Sequence, residues 1–452
     1  MRAIALVDGE HYPPVIRWGL DSARAAGIEI LAALVVGGME KLDAAGTVEL
    51  GSTPVLRADG DGRAALADAI ASYGPDVVLD LSDEPVLGYD RRMELVAVAL
   101  ATGTAYMGPD FRFDPPVAEA PLSVTTVAVI GTGKRVSKTA VGGHVARLAG
   151  ATGGHPVVVA MGRGGPAEPV VATAEDVTLD ALIARVERQE HAASDYLEDA
   201  LTSGAPAVGA RRCGGGLAGR PYVTNAAAAA ARAVELGGDP VILEGSGAAV
   251  PPIPWDAGIL VAPAGIPPHH LTGYLGPLRI LLSDLLILII GAGSQTGADN
   301  LSTLYPAVRR LRTGIRIALA ELQPVPLADV RDKDVFFATT AQRDSAEALA
   351  RQLERTAGCR VVSVSSHLAD RASLRDDLAK APRYDVLLTE LKAAAVDVAA
   401  RAALDRGADV TFVDNRPAAA GGDGDVDDLI REILGLARER HGGRSAGDEG
   451  RS

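Results

Sequence analysis

The stretch Val127-Ala-Val-Ile-Gly131-Thr-Gly133-Lys134-Arg135-Val-Ser137-Lys138-Thr139 decides the fold. The apolar run ending at Ile130 predicts a buried strand, and Ala140 to Leu148 predicts a helix. The glycine-rich basic segment between them has the order of a phosphate-binding loop: strand, turn, helix N-terminus. Free backbone N–H groups there point at phosphate oxygens. Lys138 is placed to neutralise the terminal phosphates of ATP, and Thr139 to hold Mg²⁺ through its hydroxyl. Gly131, Gly133, Lys134, Arg135 and Ser137 complete the nucleotide-binding set. In the pattern G-x-x-x-x-G-K-[ST], Lys138 and Thr139 fill the last two places, but Ser137 stands where the second glycine belongs. Thr132 occupies the first glycine position, with Gly131 and Gly133 on either side. The alternative is a basic turn with no ligand. Three cations in one short loop repel each other unless an anion lies among them, which favours the ligand.

A length of 452 residues allows two or three domains. The expected division is an N-terminal α/β domain over 1–120, a loop-containing α/β core over 121–440 with a sub-boundary near 330, and a flexible tail over 441–452. The composition is 48% hydrophobic but only 4% aromatic, so the cores must rest on Ala, Val, Leu and Ile. A net charge of −14 argues against nucleic acid or an anionic membrane as partner. The most apolar segment, 278–292, is broken by Arg279 and Asp284 and is too short to span a bilayer. Two cysteines, Cys213 and Cys359, fit a reduced cytoplasm, and a homodimer is the expected assembly on base rate.

Strand-like runs at 3–7, 28–36 and 77–81 alternate with helical segments in the N-terminal part. Polar clusters follow two of these strands: Asp8-Gly-Glu-His11, and Asp80 to Pro85. Ligands of open parallel sheets bind beyond the carboxyl ends of strands, so His11 is a candidate substrate contact. In the core, Gly162-Arg163-Gly-Gly165 and Arg211-Arg212-Cys-Gly-Gly-Gly216 repeat the glycine-plus-arginine turn after a strand. Together with the loop they point to a ligand with several phosphates, and Arg163, Arg211 and Arg212 are assigned to substrate. Val241-Ile-Leu-Glu244-Gly245 ends an apolar strand in a carboxylate. Glu244 is the candidate Mg²⁺ and catalytic acid, alongside Lys138, Lys134 and Arg135. Gly291 to Thr296 is a further glycine-rich candidate for the nucleotide. After 331, further strand–helix pairs follow, with Glu390 and Lys392 at a strand end; Lys392 joins the substrate set. Residues 418–425 read as a flexible glycine-rich loop and 426–440 as an amphipathic helix.

The loop resembles the variant loop of dethiobiotin synthetase and its relatives. Taken with Leu6-Val-Asp-Gly-Glu-His-Tyr-Pro-Pro14, Met161-Gly-Arg-Gly-Gly-Pro166 and Glu390-Leu-Lys-Ala-Ala-Ala-Val-Asp397, the chain resembles the cyclic 2,3-diphosphoglycerate synthetase family nearly end to end. Ser137 is the clearest departure. The resemblance implies an ATP-dependent ligase that closes a phosphoanhydride between the two phosphates of 2,3-diphosphoglycerate, releasing ADP and phosphate. A carboxylate-activating ligase of the dethiobiotin type and a nucleotide-dependent partner-binding switch are the competing readings.

Overall fold

The computed structural model describes residues 1–38, 49–58, 60, 62–292 and 298–449. The sequence is Ala/Val/Leu/Ile-rich in short runs that lack sustained alternation, and such runs form strands buried on both faces of parallel sheets. Two sheets result. The first holds β1 (Arg2–Val7), β2 (Glu29–Val35), β3 (Val55–Arg57), β4 (Val77–Asp80), β5 (Ala105–Met107) and β6 (Arg112–Phe113) in the order β3-β2-β1-β4-β5-β6. The pairs from β3 to β5 are parallel and only β6 runs antiparallel.

The second sheet contains β7 (Thr126–Gly131), β8 (Val157–Gly162), β9 (Val170–Ala172), β10 (Ala207–Cys213), β11 (Val223–Thr224), β12 (Val241–Glu244), β13 (Ala257–Pro263), β14 (Leu285–Ile290) and β15 (Arg316–Pro326). It continues through β16 (Asp334–Ala338), β17 (Arg360–Ser365), β18 (Val386–Thr389) and β19 (Asp409–Gly422). Its order is β11-β10-β8-β12-β7-β13-β14-β15-β19-β18-β16-β17, with β9 on β10. Strand β7 therefore lies between β12 and β13, and its carboxyl end, the start of the phosphate-binding loop, opens in the middle of a parallel edge.

The expected α/β class, with a parallel-sheet loop core and a smaller N-terminal α/β unit, is the fold observed. The N-terminal unit docks through the helix Tyr89–Ala101 on the helix Gly276–Leu281, where Leu95 and Val96 share a buried cluster with Leu275 and Leu278. Glu94 of that helix, buried at the contact, pairs with Arg63 and with Arg310 of the core.

Two expectations are corrected. Residues 418–422 are not a flexible loop: they finish β19, which pairs parallel with β18 and then antiparallel with β15 over Pro326↔Val413 to Ala318↔Gly422. One strand thus sews the last third of the chain to the core. Its glycines are needed by the close strand contact. Gly421 and Gly422 take φ of 138° and 102°, and a Cβ on Gly422 would lie 2.4 Å from the Ile317 carbonyl oxygen.

The helix after it runs over Val426–Glu449, past the point where composition predicts a tail from 441. Val426, Leu429, Ile430, Ile433 and Leu434 bury against Val127, Val129 and Val141. Arg440 pairs with Asp284 at 2.9 Å and Arg444 with Asp256 at 2.9 Å. Buried carboxylates at the amino ends of β13 and β14 order these residues, a partnership that composition does not reveal. The predicted run 278–292 divides into the end of the helix Gly276–Leu281 and β14.

Candidate active site

Residues 132–137 carry the chain from β7 into the helix Lys138–Ala151. Lys138 folds back along the loop and donates from Nζ to the Gly133 carbonyl oxygen at 2.7 Å. That path requires Gly131, where a Cβ would lie 2.9 Å from Lys138 Cδ and 2.8 Å from Val136 Cγ2. Burial pulls the Lys138 ammonium down to about 8, against the opposing influence of Glu244 and Asp195. Ser137 adopts φ 70° and Arg135 φ 57°, both in the left-handed region. This accounts for the departure seen in the sequence: the backbone keeps the glycine conformation although a serine occupies it. Ser137 makes no side-chain capping bond, so the first-turn N–H groups remain available to an anion. Thr139 is half-buried in that turn.

Glu244 is the last residue of β12, level with Val129 of the loop strand, and is 3% exposed. Its carboxyl group sits over the first turns of the loop helix. A Cβ on Gly142 would lie 1.7 Å from Glu244 Oε1, so glycine at 142 makes the seat. Oε1 has no hydrogen-bond partner. Burial, reinforced by Asp195 and opposed by Lys138, pushes this carboxyl up to about 8.

Beyond Glu244 the chain turns through Ser246 and Gly247 (φ 60°). The guanidinium groups of Arg163 and Arg212 converge on this turn: a Cβ on Gly247 would lie 3.4 Å and 3.3 Å from their Nη2 atoms, and 4.0 Å from Lys134 Cγ. Arg212 donates to the Ser246 and Gly214 carbonyl oxygens at 2.8 and 2.6 Å, while its buried Nε has no partner. Its pKa is lowered by burial and by the neighbouring Arg163. Among the described residues no carboxylate pairs with Arg163, Arg212, Lys134 or Arg135. Like charges held together without a carboxylate partner are the arrangement that an anion would relieve.

Arg211 does not join them. Neighbouring residues of a strand face opposite ways, and Arg211 Nε instead donates to the Gly165 carbonyl at 2.7 Å. Asn225 bridges the same turn, accepting from Arg211 N and donating to the Pro166 and Ala167 carbonyls. Arg211 therefore fixes the turn that presents Arg163.

His11 lies at the carboxyl edge of the N-terminal sheet, with Nδ1 2.8 Å from Asp8 Oδ1. Asp8 also accepts the backbone N–H groups of Glu10, His11 and Asp83, which sets the ring's orientation. No hydrogen bond joins His11 to the loop among the described residues. Glu390 is a structural clamp: it accepts from Thr339, Thr340 and Asn415, and these bonds together with Lys392 hold its pKa low despite burial. Lys392 pairs with Glu198 at 2.9 Å. Of the glycine-rich candidate 291–296, residues 293–296 lie outside the described residues.

Sequence reasoning missed Asp195, Glu198 and Asp199. They lie at positions i, i+3 and i+4 of the helix Asp195–Ser203, whose face packs on the loop helix. Asp199 is fully buried and neither of its oxygens has a partner. Burial pushes Glu198 up to about 7 against the pull of Lys392, and holds Asp199 well above the usual carboxylate range, with Glu244 adding to the effect. The spacing was legible, but in isolation an acidic stripe reads as a solvated helix face.

Three family models match the chain. They describe the N-terminal domain of cyclic 2,3-diphosphoglycerate synthetase over residues 2–114, its P-loop domain over 126–319 and its C-terminal domain over 326–416. The chain is 43% identical over 456 residues to the cyclic 2,3-diphosphoglycerate synthetase of Rubrobacter xylanophilus, covering 100% of both chains. It is 39% identical over 445 residues to that of Methanothermobacter thermautotrophicus, covering 95% of each. It is 37% identical over 447 residues to that of Methanothermus fervidus, covering 96% of this chain and 97% of the other.

Proposed function

The chain belongs to the cyclic 2,3-diphosphoglycerate synthetase family, and on that premise we propose how its residues carry out the reaction. ATP drives closure of an intramolecular phosphoanhydride in 2,3-diphosphoglycerate, giving the cyclic product, ADP and phosphate. A phosphate oxygen of the substrate attacks the γ-phosphorus, and the bond from that phosphorus to the bridging oxygen of ADP breaks. The second substrate phosphate then attacks the phosphorus of the first, expels inorganic phosphate and closes the P–O–P ring. No protein nucleophile is required; positioning and charge neutralisation suffice.

Lys138, the loop N–H groups and the helix N-terminus take the triphosphate, with Gly131, Gly133, Arg135 and Ser137 shaping the cradle. Arg163, Arg212 and Lys134 take the substrate phosphates. The observation that carries this reading is the convergence of two guanidinium groups, unpaired with any carboxylate among the described residues, on the Gly247 turn directly after Glu244. It supports a polyanion beside the nucleotide.

Mg²⁺ fits the residues present. Thr139 offers a hydroxyl in the first turn, and Glu244 an oxygen that is buried and unpartnered. No group of three or more metal-ligating side chains occurs among the described residues. This matches an ion that keeps its waters and takes one or two protein oxygens plus phosphates. When bound, Mg²⁺ supplies charge neutralisation at the phosphates.

We take the enzyme to work as a cytoplasmic homodimer, with His11 an outlying substrate contact from the N-terminal unit. Both cysteines are free, and no helix among the described residues is long and apolar enough to cross a membrane. The deciding experiment supplies ATP, Mg²⁺ and 2,3-diphosphoglycerate and follows products by phosphorus NMR. The expected result is a cyclic product with equimolar ADP and phosphate. ATP consumption indifferent to 2,3-diphosphoglycerate would overturn the assignment.

A further inference from the structure

Arg279 interrupts the most apolar run of the sequence, and the fold buries it. It lies on the helix Gly276–Leu281 and is 7% exposed. Among the described residues no carboxylate pairs with it, and burial alone acts on its guanidinium, lowering the pKa. Its donors go to main-chain carbonyls. Nη1 donates to Leu275 at 3.2 Å and Nη2 to Ala248 at 2.6 Å, while the buried Nε has no partner. A buried cation answered only by carbonyls is costly, and an apolar side chain would fill the space at less cost. The bond to Ala248 is the one that leaves its own helix, and it leads to the site.

Ala248 belongs to the turn that follows Glu244. Ser246 and Ala249 exchange both backbone bonds at 3.0 Å, with Gly247 at φ 60° between them. Two arginines hold this turn: Arg212 at the Ser246 carbonyl and Arg279 at the Ala248 carbonyl. Gly219, between β10 and β11, closes over the second contact. A Cβ there would lie 3.3 Å from Arg279 Nη2 and 3.1 Å from the Ala248 carbonyl oxygen, and the Gly219 carbonyl accepts from Val250 N at 2.9 Å. The same segment supplies the Gly214 carbonyl that accepts from Arg212 Nη1. Glu244 is anchored differently, because the next residue, Gly245, donates its N–H to the Val129 carbonyl of the loop strand at 2.9 Å.

We propose that Arg279 is a positioning residue for the anion pocket: by holding the Ala248 carbonyl it keeps the Ser246–Ala249 turn where Arg212 and Arg163 converge, without itself touching substrate. This rests on the reading of Arg212 as a ligand of the substrate phosphates. When the Ala248 bond is lost, the turn is freed on one side. Arg212, fastened to the Ser246 carbonyl of that turn, then loses its aim, while Lys138 and its loop keep theirs. The helix that carries Arg279 also seats the N-terminal unit through Leu278, so the docking contact and the pocket share one element.

The test is a double-mutant cycle on the full chain, read as KM for ATP and KM for 2,3-diphosphoglycerate. Arg279→Met should raise the KM for 2,3-diphosphoglycerate on the order of tenfold, leaving the KM for ATP nearly unchanged. In an Arg212→Ala background the same substitution should add less than about twofold, because the aim it protects is already gone. The proposal is overturned if Arg279→Met leaves the KM for 2,3-diphosphoglycerate at the wild-type value, or if both KM values rise together. It is equally overturned if the full rise persists in the Arg212→Ala background, since Arg279 would then act on its own. Should Arg279→Met fail to fold, Arg279→Gln, which is shorter and neutral, takes its place in both backgrounds under the same criteria. Arg212→Ala alone is the control. If it leaves the KM for 2,3-diphosphoglycerate unchanged, the assignment of Arg212 has failed and the proposal falls with it; if it raises that KM and Arg279→Met does not, the proposal alone fails.

Discussion

Gly142→Ala separates the fold from the site. Gly142 sits within the loop helix, where alanine ordinarily stabilises by about 1 kcal/mol. Here the new Cβ would lie 1.7 Å from Glu244 Oε1, 2.8 Å from its Cδ and 3.2 Å from its Cγ. The carboxyl must therefore retreat by more than about 1 Å to reach ordinary contact. The crowded atoms are the end of a side chain with rotatable bonds, so the overpacking cost falls at the low end of the usual ~1–3 kcal/mol. Gain and cost nearly cancel, and the chemical denaturation midpoint should stay within about 1 kcal/mol of wild type. Function should not: a displacement of about 1 Å at a catalytic group can cost ~10²-fold in turnover. The assay is turnover against Mg²⁺ concentration, expected to show low activity and a rightward Mg²⁺ shift. In a Glu244→Ala background the clash is gone, and Gly142→Ala should then stabilise by about 1 kcal/mol. Wild-type turnover with an unshifted Mg²⁺ curve would refute the seat of Glu244 as a working position. So would the same loss of stability in both backgrounds.

Ser137→Gly should stabilise the nucleotide-free protein by about 1 kcal/mol and tighten ATP binding, because a left-handed residue (φ 70°) loses its Cβ; a fall in denaturation midpoint would count against this. Arg212→Ala should raise the KM for 2,3-diphosphoglycerate far more than the KM for ATP, whereas Arg211→Ala should act mainly on stability; equal kinetic effects would dissolve the distinction. His144 Nε2 contacts Asp427 at 2.6 Å and Arg147 donates to its Nδ1 at 3.0 Å, so the neutral ring is the one that fits. Burial lowers its pKa from 6.5, with Arg147 adding to this and Asp427 and Asp414 opposing it. The stability it contributes is present above pH 6.5 and lost as pH falls through the lowered value; His144→Gln should flatten that acid-side loss in a denaturation series. Removing residues 441–452 takes Arg444 from Asp256, which is 2% exposed, and should cost roughly 1–3 kcal/mol, discounted because Arg444 is itself part-exposed; an unchanged midpoint would restore the flexible tail.

The architecture was largely legible because its signals are local. Strand β7, the loop and its helix follow one another in sequence, and the apolar runs that became β8, β12, β13 and β14 are bounded by glycine, proline or charge. The misreadings all involve partners distant in sequence. Residues 418–422 look like a loop because their glycines suit the left-handed region, and only the approach of β15 explains why a strand needs them. Residues 441–449 look like a polar tail because their ordering charge, Asp256, which pairs with Arg444, lies more than 150 positions earlier.

The same division runs through the site. Lys138, Thr139 and Glu244 are legible as candidates because each stands at a strand or helix terminus, where sequence order alone sets direction. Arg211 and Arg212 part on strand periodicity: neighbouring residues of a strand face opposite ways, so Arg211 turns to Gly165 while Arg212 turns to Ser246. The acids of the Asp195–Ser203 helix were missed for a deeper reason. An acidic stripe on a helix is solvated unless a neighbour covers it, and here the cover is the loop helix together with Lys392, nearly 200 residues away. A buried carboxyl group with no hydrogen-bond partner, such as Asp199, leaves no trace in composition or spacing; only the folded chain shows it.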